Sequence, residues 1–168
     1  MDVKAIIKNQ DTSAFSDLND DDFDSALIEL VYNHLYERKL DSLNYVQQVI
    51  YLCSKIEDYC QADSILEILE EPQVFHALPQ IPQAFEEIGA EKTADLMREF
   101  AEIMSSLSDI ESDEIPDLDM IVENWEIEEK ISEIDDKIAD YPDGNMRALF
   151  RAYLESNENY GKTFDSLS

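Results

Sequence analysis

Residues 90–107 have the sequence AEKTADLMREFAEIMSSL and predict the most regular helix of the chain. Their apolar side chains recur at steps of three and four residues, the spacing that places them on one face of an α-helix. We expect that buried face to comprise Ala94, Leu96, Met97, Phe100, Ala101, Met104 and Leu107. A helix with one apolar face must bury it against other elements.

The segments before this helix predict two more. The pattern from Asp22 to about Arg38 is amphipathic and begins beside three aspartates, 20–22, which favour a helix start. Asn44, with Gln47 three residues later, predicts an N-cap and its capping-box partner for a helix over about 45–60. Each of these two helices carries its own apolar stripe.

Prolines divide the middle of the chain. Residues 63–70 predict a short helical piece that stops before Pro72, because a residue that precedes proline is pushed away from the helical region. Pro79 and Pro82 continue the interruption. Pro82 suits the first turn of a further short helix and Gly89 its C-terminal cap. We therefore expect short helices here.

The C-terminal part predicts an acidic connection and two helical regions. Residues 108–117, SDIESDEIPD, form the connection, and a helix follows over about 118–138 with an interruption near Trp125. Asp143 is predicted to cap the last helix. That helix directs Met146, Leu149, Phe150, Tyr153 and Leu154 to the core.

Composition agrees with an all-α class. The 168 residues include 3 Gly and 5 Pro, too few for the many tight turns of a β-sandwich. Hydrophobic residues make up 44% of the chain, enough to build a core despite the acidity. We expect a single compact domain, 1–168, of about six to eight helices, with flexible ends at 1–19 and 157–168.

Charge is the dominant property of this sequence. Forty acidic residues against 12 Lys and Arg give a net charge of −28, whereas solubility requires a magnitude of only about 2–8. Nucleic acid and anionic membranes would repel such a surface, so we expect neither as a direct partner and a basic protein instead. No secretory h-region or long apolar run appears, so a cytoplasmic location is expected.

The acidic residues are concentrated in residues 101–145, which contain 16 Asp and Glu and only two lysines, Lys130 and Lys137. Like charges three or four residues apart lie about 5–6 Å apart on a helix and destabilise it, so such rows favour a use for the charge. A partner that recognises phosphates through Lys and Arg could bind them. The predicted partner-binding carboxylates are Asp109, Glu111, Asp113, Glu114, Asp117, Asp119, Glu123, Glu126, Glu129, Glu133, Asp136 and Asp140.

No pattern for catalysis, a metal or a cofactor is found. The acidic stretches that start at Asp17 and at Asp109 both lack the Gly and the final Glu of a Ca²⁺ loop. His34 and His76 are interpreted as structural residues, and Cys53 and Cys60 as buried thiols too far apart for a disulfide. We expect no enzyme activity. For the single tryptophan, Trp125, a core position is favoured over an exposed partner contact.

Three stretches carry a resemblance to a known family. They are IELVYNHLYERKLDSLNYVQQVIYLCSKIED at 28–58, AFEEIGAEKTADLMREF at 84–100 and EIDDKIADYPDGNMRALFRAYLESN at 133–157. The chain resembles the bacterial acidic DNA-mimic proteins of the DMP type and the wider domain of unknown function to which they belong. It departs from many relatives at 58–69, where DYCQADSILEIL replaces a glycine-containing segment.

The resemblance implies a helical fold, a homodimer and a surface that competes with DNA for a transcription regulator of the helix-turn-helix type. Two alternatives stay open. One is an acidic adaptor or chaperone that holds a basic protein in a specific groove of the proline-broken middle region. The other is an enzyme of unrecognised type that uses His76 or Cys53.

Overall fold

The computed structural model describes residues 15, 17–31, 40–107, 114–156 and 164. These residues form eight α-helices and no strand, which confirms the all-α class. The α-helices are α1 (Asp20–Val31), α2 (Tyr45–Ala62), α3 (Pro72–His76), α4 (Ile81–Glu87), α5 (Glu91–Leu107), α6 (Leu118–Val122), α7 (Trp125–Ala139) and α8 (Met146–Glu155). Short 3-10 helices span Leu40–Ser42, Ile65–Glu70 and Leu78–Gln80.

Helix α2 is the centre of the packing and contacts α1, α4 and α7. It buries ten side chains, among them Cys53 and Cys60. The predicted capping box is confirmed: the Asn44 side chain accepts from the Gln47 N–H at 2.9 Å, and the Gln47 side chain accepts from the Asn44 N–H at 3.0 Å. A local signal therefore sets the start of the most buried helix.

The middle region folds into short helices as the prolines predict. Pro72 lies in the first turn of α3 and Pro82 in the first turn of α4. After α4 the chain reverses at Gly89, whose φ is +83°. The Ala90 N–H donates to the Phe85 carbonyl and the Gly89 N–H to the Glu86 carbonyl, the pair of bonds that defines a Schellman cap.

Helix α5 packs on α4 and α7. Of its predicted face, Ala94, Met97, Phe100 and Met104 are buried, whereas Leu96, Ala101 and Leu107 are half-buried. Thr93 is also buried, so the buried face includes one residue that the apolar pattern did not predict.

The prediction that Asp143 caps the last helix is wrong. Asn145 is the N-cap of α8 and accepts from the Ala148 N–H at 3.2 Å. Asp143 instead caps α5: its carboxylate accepts from the Lys92 N–H at 3.0 Å and from the Thr93 N–H and hydroxyl at 2.7 Å each. The turn after α7, with positive φ at Tyr141 and Gly144, carries Asp143 to that distant helix end.

Arginines of α8 hold it against the N-terminal part of the chain. The Arg151 guanidinium donates to the carbonyls of Phe15 and Leu18 at 2.8 and 3.0 Å and lies 4.2 Å from the centre of the Phe23 ring. Arg147 forms a two-bond ion pair with Asp24 of α1. These contacts, with Phe150 and Leu154 buried between them, complete the core on this side.

Several sequence predictions fall outside the described residues. These are residues 32–38 of the first predicted helix with His34, positions 108–113 of the acidic connection, and most of the ends 1–19 and 157–168. The interruption near Trp125 is confirmed, since α6 ends at Val122 and Asn124 caps α7. No helix in the described part of the chain is long and apolar enough to cross a membrane.

Candidate functional site: an acidic helical surface

Nine of the twelve predicted partner-binding carboxylates lie in the described part of the chain, and all nine are exposed. We call them the acidic array: Glu114, Asp117, Asp119, Glu123, Glu126, Glu129, Glu133, Asp136 and Asp140. The other three, Asp109, Glu111 and Asp113, lie outside the described residues. Among the ion pairs of the described residues, none involves a member of the array. The array is therefore free to attract a cation from outside.

Five members of the array form a single row on α7 and its C-cap. Positions 126, 129, 133, 136 and 140 follow steps of three and four, which keeps them on one helical face. The core-facing stripe of the same helix consists of Ile127, Ile131, Ile134 and Ile138, roughly on the opposite side. At 1.5 Å per residue the row is about 21 Å long, with one charge per about 5 Å.

Helix α6 adds the second part of the array. Asp117 caps this helix, with its carboxylate accepting the Asp119 N–H at 3.0 Å. A capping carboxylate keeps its charge exposed while it stabilises the helix start, where the dipole favours a negative group. Asp117 therefore has a structural role beside any role in binding.

A further acidic row on α5 was missed by the sequence analysis. Its members are Glu91, Asp95, Glu99 and Glu102, all exposed and spaced by four and three residues. A shallow groove of about 470 Å³ separates α5 from α7, and Asp95, Glu99 and Asp140 line it together with Lys92 and Lys137. The spacing was visible in the sequence, but only the packing of α5 on α7 places the two rows side by side.

The α5 row is partly neutralised, in contrast to the α7 row. Arg98 donates to Asp95 at 2.6 Å and also pairs with Glu86 of α4. On α7, the exposed Lys130 and Lys137 form no ion pair with the described residues. The α7 row is thus the stronger source of negative potential for a partner.

Asp135 of α7 belongs to the fold and not to the array. It is half-buried, and both of its carboxylate oxygens accept from the Ile65 N–H at 3.1 Å. That bond caps the start of the 3-10 helix Ile65–Glu70. This 3-10 helix is therefore packed against the helix that carries the acidic row.

A polar contact that sequence reasoning did not find joins the half-buried Glu57 of α2 to the turn after α7. The Tyr141 hydroxyl donates to the Glu57 carboxylate at 3.0 Å. Burial raises the pKa of Glu57, and the hydrogen bond from Tyr141 opposes part of that rise. The same burial, with the nearby Glu57 charge, raises the pKa of Tyr141 to about 12. The two groups lie 84 residues apart, so no local signal joins them.

The Glu57 contact lies in an open cavity of about 640 Å³ between α1, α2 and α8. The polar side chains that line this cavity pair with one another: Asp24 accepts from Arg147, and Glu57 accepts from Tyr141. The φ of Tyr141 is +54°, a conformation that non-glycine residues rarely adopt. We assign these contacts to holding the turn that delivers Asp143 to α5.

The residues considered for catalysis are placed as follows. Cys53 and Cys60 are both free and buried, as predicted. Burial first, and then the charge of Glu57, raises the pKa of the Cys53 thiol well above its ordinary value, which disfavours the nucleophilic thiolate. His76 is exposed, with its ring 5.8 Å from that of Phe75. Among the described residues, no three or more His, Cys, Asp or Glu side chains are grouped to hold a metal.

The preference for a buried Trp125 is wrong. Its side chain is 68% exposed, because the interruption at Asn124 makes it the first residue of α7, on the side away from the isoleucine stripe. The exposed alternative, a partner contact, is the one compatible with the structure.

Comparison with known proteins identifies the family to which the chain belongs. The model of the DMP19-like protein family matches residues 41–157, well over half of the chain, which confirms the resemblance to the DMP type. The match includes α2 to α8 and all of the acidic array. No curated protein and no solved structure matches the chain.

Proposed function

Because the chain belongs to the DMP19-like protein family, we propose that it acts as a DNA mimic. In this proposal the acidic array binds the DNA-binding surface of a basic protein, a transcription regulator of the helix-turn-helix type, and blocks its access to DNA. The array offers charges to Lys and Arg side chains that otherwise contact phosphates. A cytoplasmic location and a homodimer are part of the same proposal.

The observation that carries the proposal is the unpaired α7 row. Its five carboxylates are exposed, lie on one face and are without ion pairs among the described residues. A surface whose only task was solubility would gain from pairing or dispersing these charges, because like charges at this spacing destabilise the helix. A retained, destabilising row is typical of a binding surface.

The row is less densely charged than DNA. Duplex DNA has one charge per about 1.7 Å of axis, whereas the row has one per about 5 Å. Its competition with DNA thus relies on several parts of the surface together, with α6 and α5 beside the row. Binding should weaken with salt, but less steeply per unit length than binding to DNA.

The adaptor alternative is less well supported. The groove beside the proline-broken region has a volume of about 420 Å³ and is lined by Leu40, Asp41, Gln73, His76, Ala77 and Gln80. Asp41 is its single carboxylate, so a basic protein would meet little complementary charge there. The acidic array favours the DNA mimic.

The test is release of DNA from a basic helix-turn-helix regulator, followed by the fluorescence anisotropy of a labelled operator duplex. Wild-type protein should release the duplex at about 50 mM salt, and in a direct titration of the labelled regulator without DNA it should bind more weakly at about 200 mM than at about 50 mM salt. The double variant E129Q/D136N removes two charges from the middle of the row. Its control, D17N/D41N, removes two exposed charges that lie outside the α-helices.

We expect E129Q/D136N to compete about 2- to 30-fold less well than wild type, the range for two surface ion pairs. The control should compete like wild type. Equal loss in both variants would mean that total charge, and not the row, determines binding. Direct binding to the regulator that is independent of salt, or no release of DNA across a panel of basic regulators, would refute the DNA-mimic function.

A further inference from the structure

Exposed apolar side chains are concentrated at the start of the acidic surface. The described residues include six large hydrophobic side chains that are exposed, and four of them lie within residues 118–125. We call three of them the Trp125 patch: Leu118 is 46% exposed, Val122 44% and Trp125 68%. The fourth, Met120, is 54% exposed but lies about 160–200° around α6 from Leu118 and Val122, on the other side of the helix. Such a concentration on a surface is typical of a site for another protein.

Buried residues and helix caps fix the position of the Trp125 patch. Ile121 is fully buried and Pro116 is buried, so α6 is anchored to the core between the exposed side chains. Asp117 caps α6, and Asn124 caps α7 by accepting from the Ile127 N–H at 3.4 Å. Leu118 and Val122 lie four residues apart on one face of α6. The exposed side chains are therefore presented by two capped helices.

The negative charge around the Trp125 patch indicates which kind of partner could bind there. Asp117, Asp119, Glu123 and Glu126 alternate with its apolar residues, and no Lys or Arg occurs between Arg98 and Lys130. A second copy of this chain would bring like charges together, which costs free energy on association. A basic amphipathic helix offers the opposite charge around an apolar face. The chemistry of the patch therefore fits a Lys- and Arg-rich helix.

We propose that the Trp125 patch docks the apolar face of a Lys- and Arg-rich amphipathic helix of the partner, while the surrounding carboxylates pair with its basic residues. This inference rests on the proposed function and adds an apolar anchor to it. Tryptophan is among the residues that most often dominate binding energy at interfaces, and burying one removes about 150–250 Å² from water. Carboxylates set the charge and rate of encounter, and the anchor adds a component that salt does not screen.

Trp125 is also the reporter for the test, because it is the single tryptophan of the chain. The probe is a labelled 18-residue synthetic helix with leucine on one face and lysine on the other. Its companion is an oligolysine of the same charge without leucine. Each is titrated into the full chain, with indole emission and peptide anisotropy recorded together.

The leucine–lysine helix should shift the Trp125 emission to shorter wavelength, and oligolysine should bind without that shift. Trp125→Ala should weaken the leucine–lysine helix about tenfold and leave oligolysine unchanged. The control is Ile28→Ser, at another exposed hydrophobic residue, 53% exposed on α1, which should bind both probes like wild type. Because these side chains are exposed, the variants should keep the wild-type circular dichroism and melting temperature.

Three results would overturn the inference. If Trp125→Ala binds both probes like wild type while E129Q/D136N loses both, the array acts without an apolar anchor and the DNA-mimic proposal stands. If the free protein already emits at the wavelength of a buried indole, the chain itself or a second copy covers the patch. If neither probe binds at 50 mM salt, the proposed function fails together with the inference.

Discussion

Neutralising the middle of the α7 row should make the protein more stable while it weakens binding. Glu129 and Asp136 take part in all four like-charge neighbour pairs of the row, 126/129, 129/133, 133/136 and 136/140. Neither residue has a lysine three or four positions away, so E129Q/D136N removes repulsion without removing an attractive pair. Gln and Asn are close in helix propensity to the residues that they replace.

The size of the expected stabilisation follows from the four like-charge pairs that E129Q/D136N removes. Each like-charge pair at this spacing destabilises a helix by about 0.2–0.5 kcal/mol, so four pairs amount to about 1–2 kcal/mol. Asp136 also lies in the last turn of α7, where the helix dipole disfavours a negative charge, which adds in the same direction. For a domain of this size the melting temperature should rise by roughly 2–8 °C.

The assay is thermal unfolding, followed by circular dichroism at about 20 mM and 500 mM salt. The gain of E129Q/D136N over wild type should be largest at low salt and shrink at high salt, because screening removes the repulsion. The control D17N/D41N should melt within about 2 °C of wild type. A variant that is less stable than wild type would show that the two carboxylates support the fold, and the row could not then be attributed to binding.

Three further predictions concern the core. Asp143→Ala should lower the free energy of unfolding by about 2 kcal/mol, because it uncaps α5 and leaves the buried Thr93 hydroxyl unpaired. In calorimetry its melting temperature should fall by roughly 4–8 °C, and that of Asp143→Asn should fall by less. Glu57→Gln should raise the melting temperature at pH 7. Burial puts the folded pKa of Glu57 above its unfolded value, so the folded state binds more protons between the two and wild-type stability falls as pH rises through that window. The difference between the two proteins should disappear below the unfolded pKa of about 4.3, and a constant difference at all pH values would contradict this cause. Cys53 and Cys60 should resist thiol reagents in the native protein and react after denaturation, and fast native labelling would contradict their burial.

Local signals in the sequence predicted the helices well. Asn44 and Gln47 lie three residues apart, and Gly89 directly follows its helix, so the atoms that form each cap are close in sequence before folding. The break near Trp125 was predicted for the same reason, because the apolar period changes there. Nothing beyond these short distances was needed to place α2, α4 and α7.

Contacts between distant residues were beyond that reasoning. Asp143 caps a helix that begins 52 residues earlier, and Glu57 meets Tyr141 across 84 residues. An aspartate shortly before a helix has two possible helix ends to cap, and only the turn after α7 decides between them. The exposure of Trp125 is different, since the helical phase of Ile127, Ile131 and Ile134 would have placed it outward once α7 was known to start there.

The site was predictable in composition and only partly in geometry. Exposure of the α7 row follows from its phase opposite the isoleucine stripe, which the sequence shows. The sequence does not show that the row is without ion pairs among the described residues, because this depends on which carboxylates the twelve Lys and Arg side chains contact in the fold. The neighbouring α5 row likewise needed the packing of two helices 34 residues apart in sequence.

The placement of the cations explains how a chain of −28 keeps both a fold and an acidic face. Lys55, Arg98, Arg147 and Arg151 are the cations that form ion pairs among the described residues, and they bind Glu71, Glu86, Asp95, Asp24 and Asp20. These pairs tie α2, α4, α5 and α8 to their neighbours, and none reaches α6 or α7. Most ion pairs thus join different elements, whereas the like charges of α7 lie on a helix that its buried isoleucines already hold against the core. The protein is therefore expected to present an uneven charge distribution to a basic partner, which would turn the α6–α7 side toward that partner before contact.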